Sequence, residues 1–358
     1  MGTGVPVTVQ GVCEALENLF LSSLPARSRL DRARPFIDGT DPAMRGFHGA
    51  MRQDSASVGA VRDTARLDGS TILASQQVFG LFNPSRNRTL TQWPVDPFRN
   101  VHVLGIVERT VRAALDFLSL PGRTPPVPNA TAWIFPADAS NAHSMRSCHG
   151  LDAWGDTPGT VAVQLWPSPG NLARLPSATT RELAVGYRSA VTGPTSVPTF
   201  ADHLVREGLA STLVSALHAD LGTPWAIPFT RPGDWHDTRS VIAHASGFRS
   251  YVELPVNACG VTALAGSAGL PDPPLGDFEH LTFLHAVLME ARGTTDPMAI
   301  AGLLDGDAPL AMNGHPVLVL PFASGFAVAH TVVGAGIARL GCTIAEAFHL
   351  PTAALLGT

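Results

Sequence analysis

The chain contains no lysine; all 24 of its basic side chains are arginine. That excludes Schiff-base chemistry on lysine, a lysine-held pyridoxal phosphate, a phosphate-loop lysine and a kinase-type lysine. GC-rich coding, which also raises Ala, Gly and Pro, accounts for the bias, and the chemical exclusion holds whatever its origin. Cysteine is also scarce. Cys13, Cys148, Cys259 and Cys342 lie far apart with no CxxC pair, which argues against zinc ribbons and dithiol redox motifs. A reducing, cytoplasmic setting with free thiols is expected. The first residues, MGTGVPVTVQGVCEALENLF, lack a basic stretch leading into an apolar core, so no signal peptide is expected. Charged residues are only 15% of the chain, the net charge is -5, and no basic run forms a tail. Nucleic acid is therefore not an expected partner.

One uncharged stretch bears on membranes. Val317 to Ala338 (VLVLPFASGFAVAHTVVGAGIA) has no Asp, Glu or Arg and is long enough to span a bilayer. Its Pro321, Ser324 and His330, its Gly/Ala content and the absence of flanking charge asymmetry favour a buried strand or loop running into a buried small-residue helix. No membrane partner is expected.

The 358 residues suffice for one large domain or two small ones, and 30 prolines imply many fixed loops. Residues 1–97 read as a helical N-terminal segment. Val9 to Leu24 is amphipathic, mixed helix extends from Ala43 to about Arg66, and Gly69 to Phe82 fits helix or strand. Arg27, Arg29, Arg32 and Arg34 read as a solvated face. From Phe98 onward the signals sharpen. Phe98 to Leu120 predicts a helix, and Thr131 to Pro136 and Thr160 to Trp166 predict short buried strands. Ser177 to Val191 and Phe200 to Leu221 predict two long helices, separated by a break holding Pro194 and Pro198. Residues 223–276 form an irregular insertion with a helix expected from Arg239 to about Phe248. Further helices are expected over Asp277 to Arg292, Pro297 to Leu304, Gly325 to Leu340 and Thr343 to Phe348. A strand is expected at Val317 to Leu320 and a terminal turn at Pro351 to Leu355.

The two long helices carry most of the chemistry. Arg181 and Val185 share one face of the first, with Glu182 beside them, and His203 and Glu207 stack at i,i+4 on the second. Glu182 fits either a general acid/base tuned by burial or a helix-surface acid paired to Arg181 or Arg188. His203 with Glu207 fits an oriented imidazole, two ligands of a metal site, or a solvated pair. Asp202 fits electrostatic stabilisation of its helix N-terminus. Tyr187, one of only two tyrosines, fits an oxyanion donor or a buried packing residue. His330 fits a core histidine or, facing the acids, a proton-transfer group. Cys148 and His149, adjacent and with His143 nearby, are a weak nucleophile candidate. His280 and His285 do not share a face and read as structural.

Three passages carry a resemblance. TVAVQLWPSPGNLARLPSATTRELAVGYRSA has the form of a strand, a proline loop and a helix. HLVREGLAST carries an EGLA helix. PFASGFAVAHTVV and FHLPTAALLG follow near the end. Together they resemble a family of predicted zinc-dependent proteases (domain of unknown function 2268), gluzincin-like proteins with HExxH on one helix and EGLA on the next. The resemblance covers roughly residue 98 to the end. It implies an α+β, mostly helical, zincin-like domain over 98–358 with a small sheet, in which Glu182 is the general base and Glu207 the third metal ligand. At HExxH, however, the chain reads Arg181-Glu182-Leu183-Ala184-Val185. Catalytic zinc takes three protein ligands from imidazole, thiolate or carboxylate, and neither Arg181 nor Val185 supplies one. The expectation is that the Arg181 guanidinium takes the electrostatic role of the lost metal, locking Glu207 in a structural pair or polarising a substrate oxygen.

The expected function is a metallopeptidase-like scaffold repurposed as a metal-independent hydrolase, lyase or cyclase of a small molecule, with no cofactor. Glu182, His203, Glu207 and His330 would transfer protons, and Arg181 and Tyr187 would bind substrate. The alternatives are a hydrolase with zinc relocated to His203, Glu207 and another histidine, and a non-catalytic binding module.

Overall fold

The computed structural model describes residues 5–11, 103–137, 150–193, 197–218, 285, 288–305, 309–310, 318–319 and 324–358. The expected elements over 12–24, 43–66, 69–82 and 239–248 lie outside these residues, as do Cys13, His143, Cys148, His149, Cys259 and His280. The described residues make a mixed α/β protein, mostly helical with a four-stranded sheet. The chain divides into two compact units, 1–191 and 192–358.

The first unit is built on the sheet. Val7–Gly11 is strand β1, where a helix is expected to begin at Val9. Val7 and Val9 are half-buried and Thr8 and Gln10 exposed, a period of two that fits a strand and not a helix. β1 pairs in parallel with β2, Ala130–Pro136, in the register Val7 to Ala130, so the sheet takes a strand from each side of residue 97. A parallel pair needs a long crossover, and α1, Val103–Leu118, lies within it and packs on both strands. Val103, Val107, Val111, Ala114 and Leu118 make its buried stripe, at the helical spacing visible in the sequence. β2 pairs in parallel with β4, Thr160–Leu165, and β3, Leu151–Trp154, joins β4 antiparallel at the edge. Val161 to Leu165 are all buried, as in a central strand covered on both faces.

β4 leads into α2, Pro169–Thr192, which starts well before the expected Ser177. Ser168 Oγ accepts the Asn171 N–H at 3.2 Å, and the Asn171 amide donates to the Trp166 carbonyl at 2.9 Å. Ser168 thus caps the helix and Pro169 takes its first position, where a missing N–H costs nothing. The helix then runs through Pro176. Beyond Thr192, Gly193 turns the chain with φ +68°, the usual residue for a left-handed helix end.

The described residues of the second unit are mostly helical. α3, Phe200–Leu217, begins with a capping box: Thr199 Oγ1 accepts the Asp202 N–H at 3.3 Å, and Asp202 returns a bond to the Thr199 N–H at 3.0 Å. α4 is Pro297–Asp305, α5 Ser324–Leu340, α6 Ile344–Ala347 and α7 Thr352–Leu356, with a two-residue pair of strands, β5 (Pro309–Leu310) and β6 (Leu318–Val319). α3 packs most extensively on α5. At their crossing Gly208 lies directly against the Ala329 carbonyl and Val333. Phe200, Leu204, Leu303 and Val328 join the core around it. The Arg339 guanidinium donates to the Ala354 carbonyl at 2.6 Å and ties α5 to α7. No described helix is long and apolar enough to cross a membrane.

Candidate functional site

Helix α2 buries far more polar side chains than a packing helix needs. Ser177, Thr179, Thr180, Glu182, Arg188 and Ser189 are each at most 5% exposed. Arg181 forms an ion pair with Glu182, the two side chains being 12% and 7% exposed. Adjacent helical residues do not face each other, so the arginine must bend round to meet its neighbour. A buried carboxylate is costly without such a partner. The turn after β3 fixes the depth of this acid. A Cβ on Gly155 would fall on the Glu182 carbonyl, and one on Gly186 would lie 2.7 Å from the Gly155 oxygen and 2.9 Å from that of Thr157. Turn and helix therefore meet backbone to backbone.

Tyr187 is 3% exposed, and its hydroxyl donates to the Leu118 carbonyl at 3.1 Å. The phenol thus donates to the C-terminal end of α1, which fits the buried packing residue of its two readings. Burial raises its pKa, with a smaller opposing effect from the Arg123 charge.

In the second unit Glu207 carries its own cation. Arg206 donates to Glu207 Oε1 from Nε at 3.3 Å and Nη2 at 3.1 Å, with side chains 15% and 5% exposed. Arg206 is a partner of Glu207 that the sequence reading does not name. Arg206 escaped notice because neighbours diverge on a helix, although RE recurring ahead of LA and GLA on both helices was a signal. His203 is half-buried one turn before Glu207. Asp202 serves the cap, and its other oxygen accepts the Thr352 hydroxyl at 2.7 Å. Burial would raise the Asp202 pKa, but the Thr199 backbone, the Thr352 and Thr199 hydroxyls and His203 outweigh it and leave it low.

His330 follows Ala329, the residue that Gly208 touches. Its Nδ1 is buried without a hydrogen-bond partner, and burial lowers its pKa. The ring is therefore neutral at pH 7. His218, at the end of α3, is shifted the same way by burial. Both rings bind a proton more weakly folded than unfolded, so their share of stability is complete above the unfolded value of about 6.5 and is lost below it. Asp202, with a lowered carboxyl, contributes no change until far more acid pH. Urea unfolding from pH 7.5 to 5 should show stability falling, and His330→Gln should flatten the slope by up to about 1.4 kcal/mol per pH unit. An unchanged slope would mean that His330 titrates alike in both states.

Where the resemblance implies zinc, the residues do not fit it. Arg181 is a cation engaged with Glu182, and Val185 is a hydrocarbon 2% exposed. Among the described residues, His203, Glu207 and His330 included, no three His, Cys, Asp or Glu are grouped to hold a metal ion. Arg181 and Glu182 are brought together in the first unit; His203, Glu207 and His330 belong to the second. Comparison with family models, curated proteins and solved structures returns no match.

Proposed function

We propose that the chain is a small-molecule enzyme, a hydrolase, lyase or cyclase, performing acid–base chemistry on a zincin-like scaffold without that scaffold's metal. One observation carries this reading. Glu182, at the position of the resembled family's general base, is buried and held by the guanidinium of Arg181, where that family has a histidine. The zincin-like detail draws support from the order of α1, β2, β4, α2, α3 and α5, which is the order the resemblance implies. It also draws support from RELAV falling on α2 and REGLA on α3.

In this reading Glu182 exchanges a proton with the substrate, and Arg181 binds an anionic group or carbonyl oxygen, as a planar fork of donors can. The second unit offers a like pair in Arg206 and Glu207. His330 of that second unit carries a neutral imidazole, which is a competent proton acceptor near pH 7. A non-catalytic binding module is the second reading. It draws on the Tyr187 proton and both guanidinium groups having partners inside the fold.

The test is mass spectrometry of a metabolite extract incubated with the full chain and with Glu182→Gln. The enzyme reading expects a substrate to be converted, and the variant to be slower by about 10²- to 10⁴-fold. Conversion indifferent to Glu182→Gln would remove this residue from the chemistry. A metabolite retained but never converted would favour the binding module.

A further inference from the structure

Two threonine hydroxyls, Thr179 on the Glu182 face of α2 and Thr157 in the turn packed on that helix, have no hydrogen-bond partner. At 100° per residue, Thr179, Glu182 and Gly186 fall within about 60° of one another round the helix. The turn carrying Thr157 covers this face, its Gly155 against Glu182 and its Thr157 carbonyl against the Gly186 position. Thr179 is fully buried, and the side-chain oxygens of both Thr157 and Thr179 are buried and unpartnered. A buried hydroxyl without a partner costs stability. A helical threonine ordinarily avoids that cost by bonding the carbonyl one turn back. Thr110 does so to Ile106, and Thr212 to Gly208. Thr179 does not.

We propose that Thr157 and Thr179 are ligand-binding groups flanking Glu182, and that the site takes an uncharged polar group, a carbonyl, amide or hydroxyl. The charge of Glu182 is already met by Arg181, so the remaining capacity is for neutral hydrogen bonds, which a hydroxyl can donate or accept. The inference rests on the reading of Glu182 as an active-site acid, and it adds the chemical class of what lies beside it.

Valine replaces threonine at nearly constant shape, so Thr157→Val, Thr179→Val and the double variant separate binding from folding. In the full chain without ligand, each should leave the melting temperature unchanged or raised, because an unpartnered hydroxyl is removed. Acetamide is the probe, followed by NMR of the Ala184 and Val185 methyl groups. Wild type should show a saturable shift, and the double variant should bind roughly fivefold or more weakly. A melting temperature lowered by several degrees would mean that the hydroxyls are bonded in the ligand-free protein and would overturn the proposal. So would the absence of a saturable shift in wild type, or equal binding by the double variant. Acetamide binding reports on the hydroxyls whether or not catalysis occurs. A clear response alongside an indifferent Glu182→Gln enzyme would therefore retain this inference and reject the proposed function.

Discussion

Gly155→Ala should destabilise the protein by about 3 kcal/mol, at the upper end of what overpacking a well-filled interior costs. The added methyl would fall on the carbonyl and Cβ of Glu182. Neither is the end of a flexible side chain that can swing aside. The turn must lift from α2, and the lift would move the wall over Glu182 as well as cost stability. Gly334→Ala is the control. Gly334 lies inside α5, and nothing stands within 4 Å of its Cβ position. Alanine is the better helix former there by about 1 kcal/mol, so the control should be neutral or slightly stabilising. Urea denaturation of both variants decides the matter. Equal behaviour would show that the approach of the turn to Glu182 is loose.

Arg206→Met should cost about 1.5–3 kcal/mol, because buried Glu207 would lose the two charge-assisted hydrogen bonds that Arg206 makes to its Oε1. Methionine retains much of the arginine stem, so the loss measures the guanidinium rather than packing. Arg206→Met combined with Glu207→Leu should recover most of the loss, since removing a buried pair together is far less harmful than removing half of it. The coupling read from this double-mutant cycle is the quantity of interest. Additive losses in the cycle would mean that Arg206 and Glu207 are not partners.

Where one face is apolar over several turns, the sequence was a good guide. α1 lies within the expected 98–120, and β2 and β4 fall within a residue of their expected bounds. The second-unit helices near residues 297, 325 and 343 also lie where periodicity and turn residues put them. β3 was illegible because four residues, only Leu151 of them buried, give period-two alternation nothing to show. β1 was misread because Val9 also suits the helical spacing that continues beyond Gly11. The early start of α2 was hidden by Pro176, which reads as a boundary although the cap at Ser168 lies further back.

For the candidate site, residue types were legible and partners were not. Glu182 and Glu207 stand out as acids on apolar helices, and both are buried. Each is met by the arginine immediately before it, a pairing that helical geometry disfavours and only a long side chain achieves. Tyr187 shows the same limit. Its rarity drew attention, but the acceptor of its proton lies at Leu118, far away in sequence.

In the proposed enzyme a guanidinium, not a metal ion, attends the Glu182 carboxylate of α2. The most direct measurement follows the Glu182-dependent conversion before and after exhaustive chelation, with metal content determined on the same sample. The account predicts an unchanged rate in protein carrying no stoichiometric zinc. Loss of conversion on chelation, with recovery on adding zinc, would contradict it.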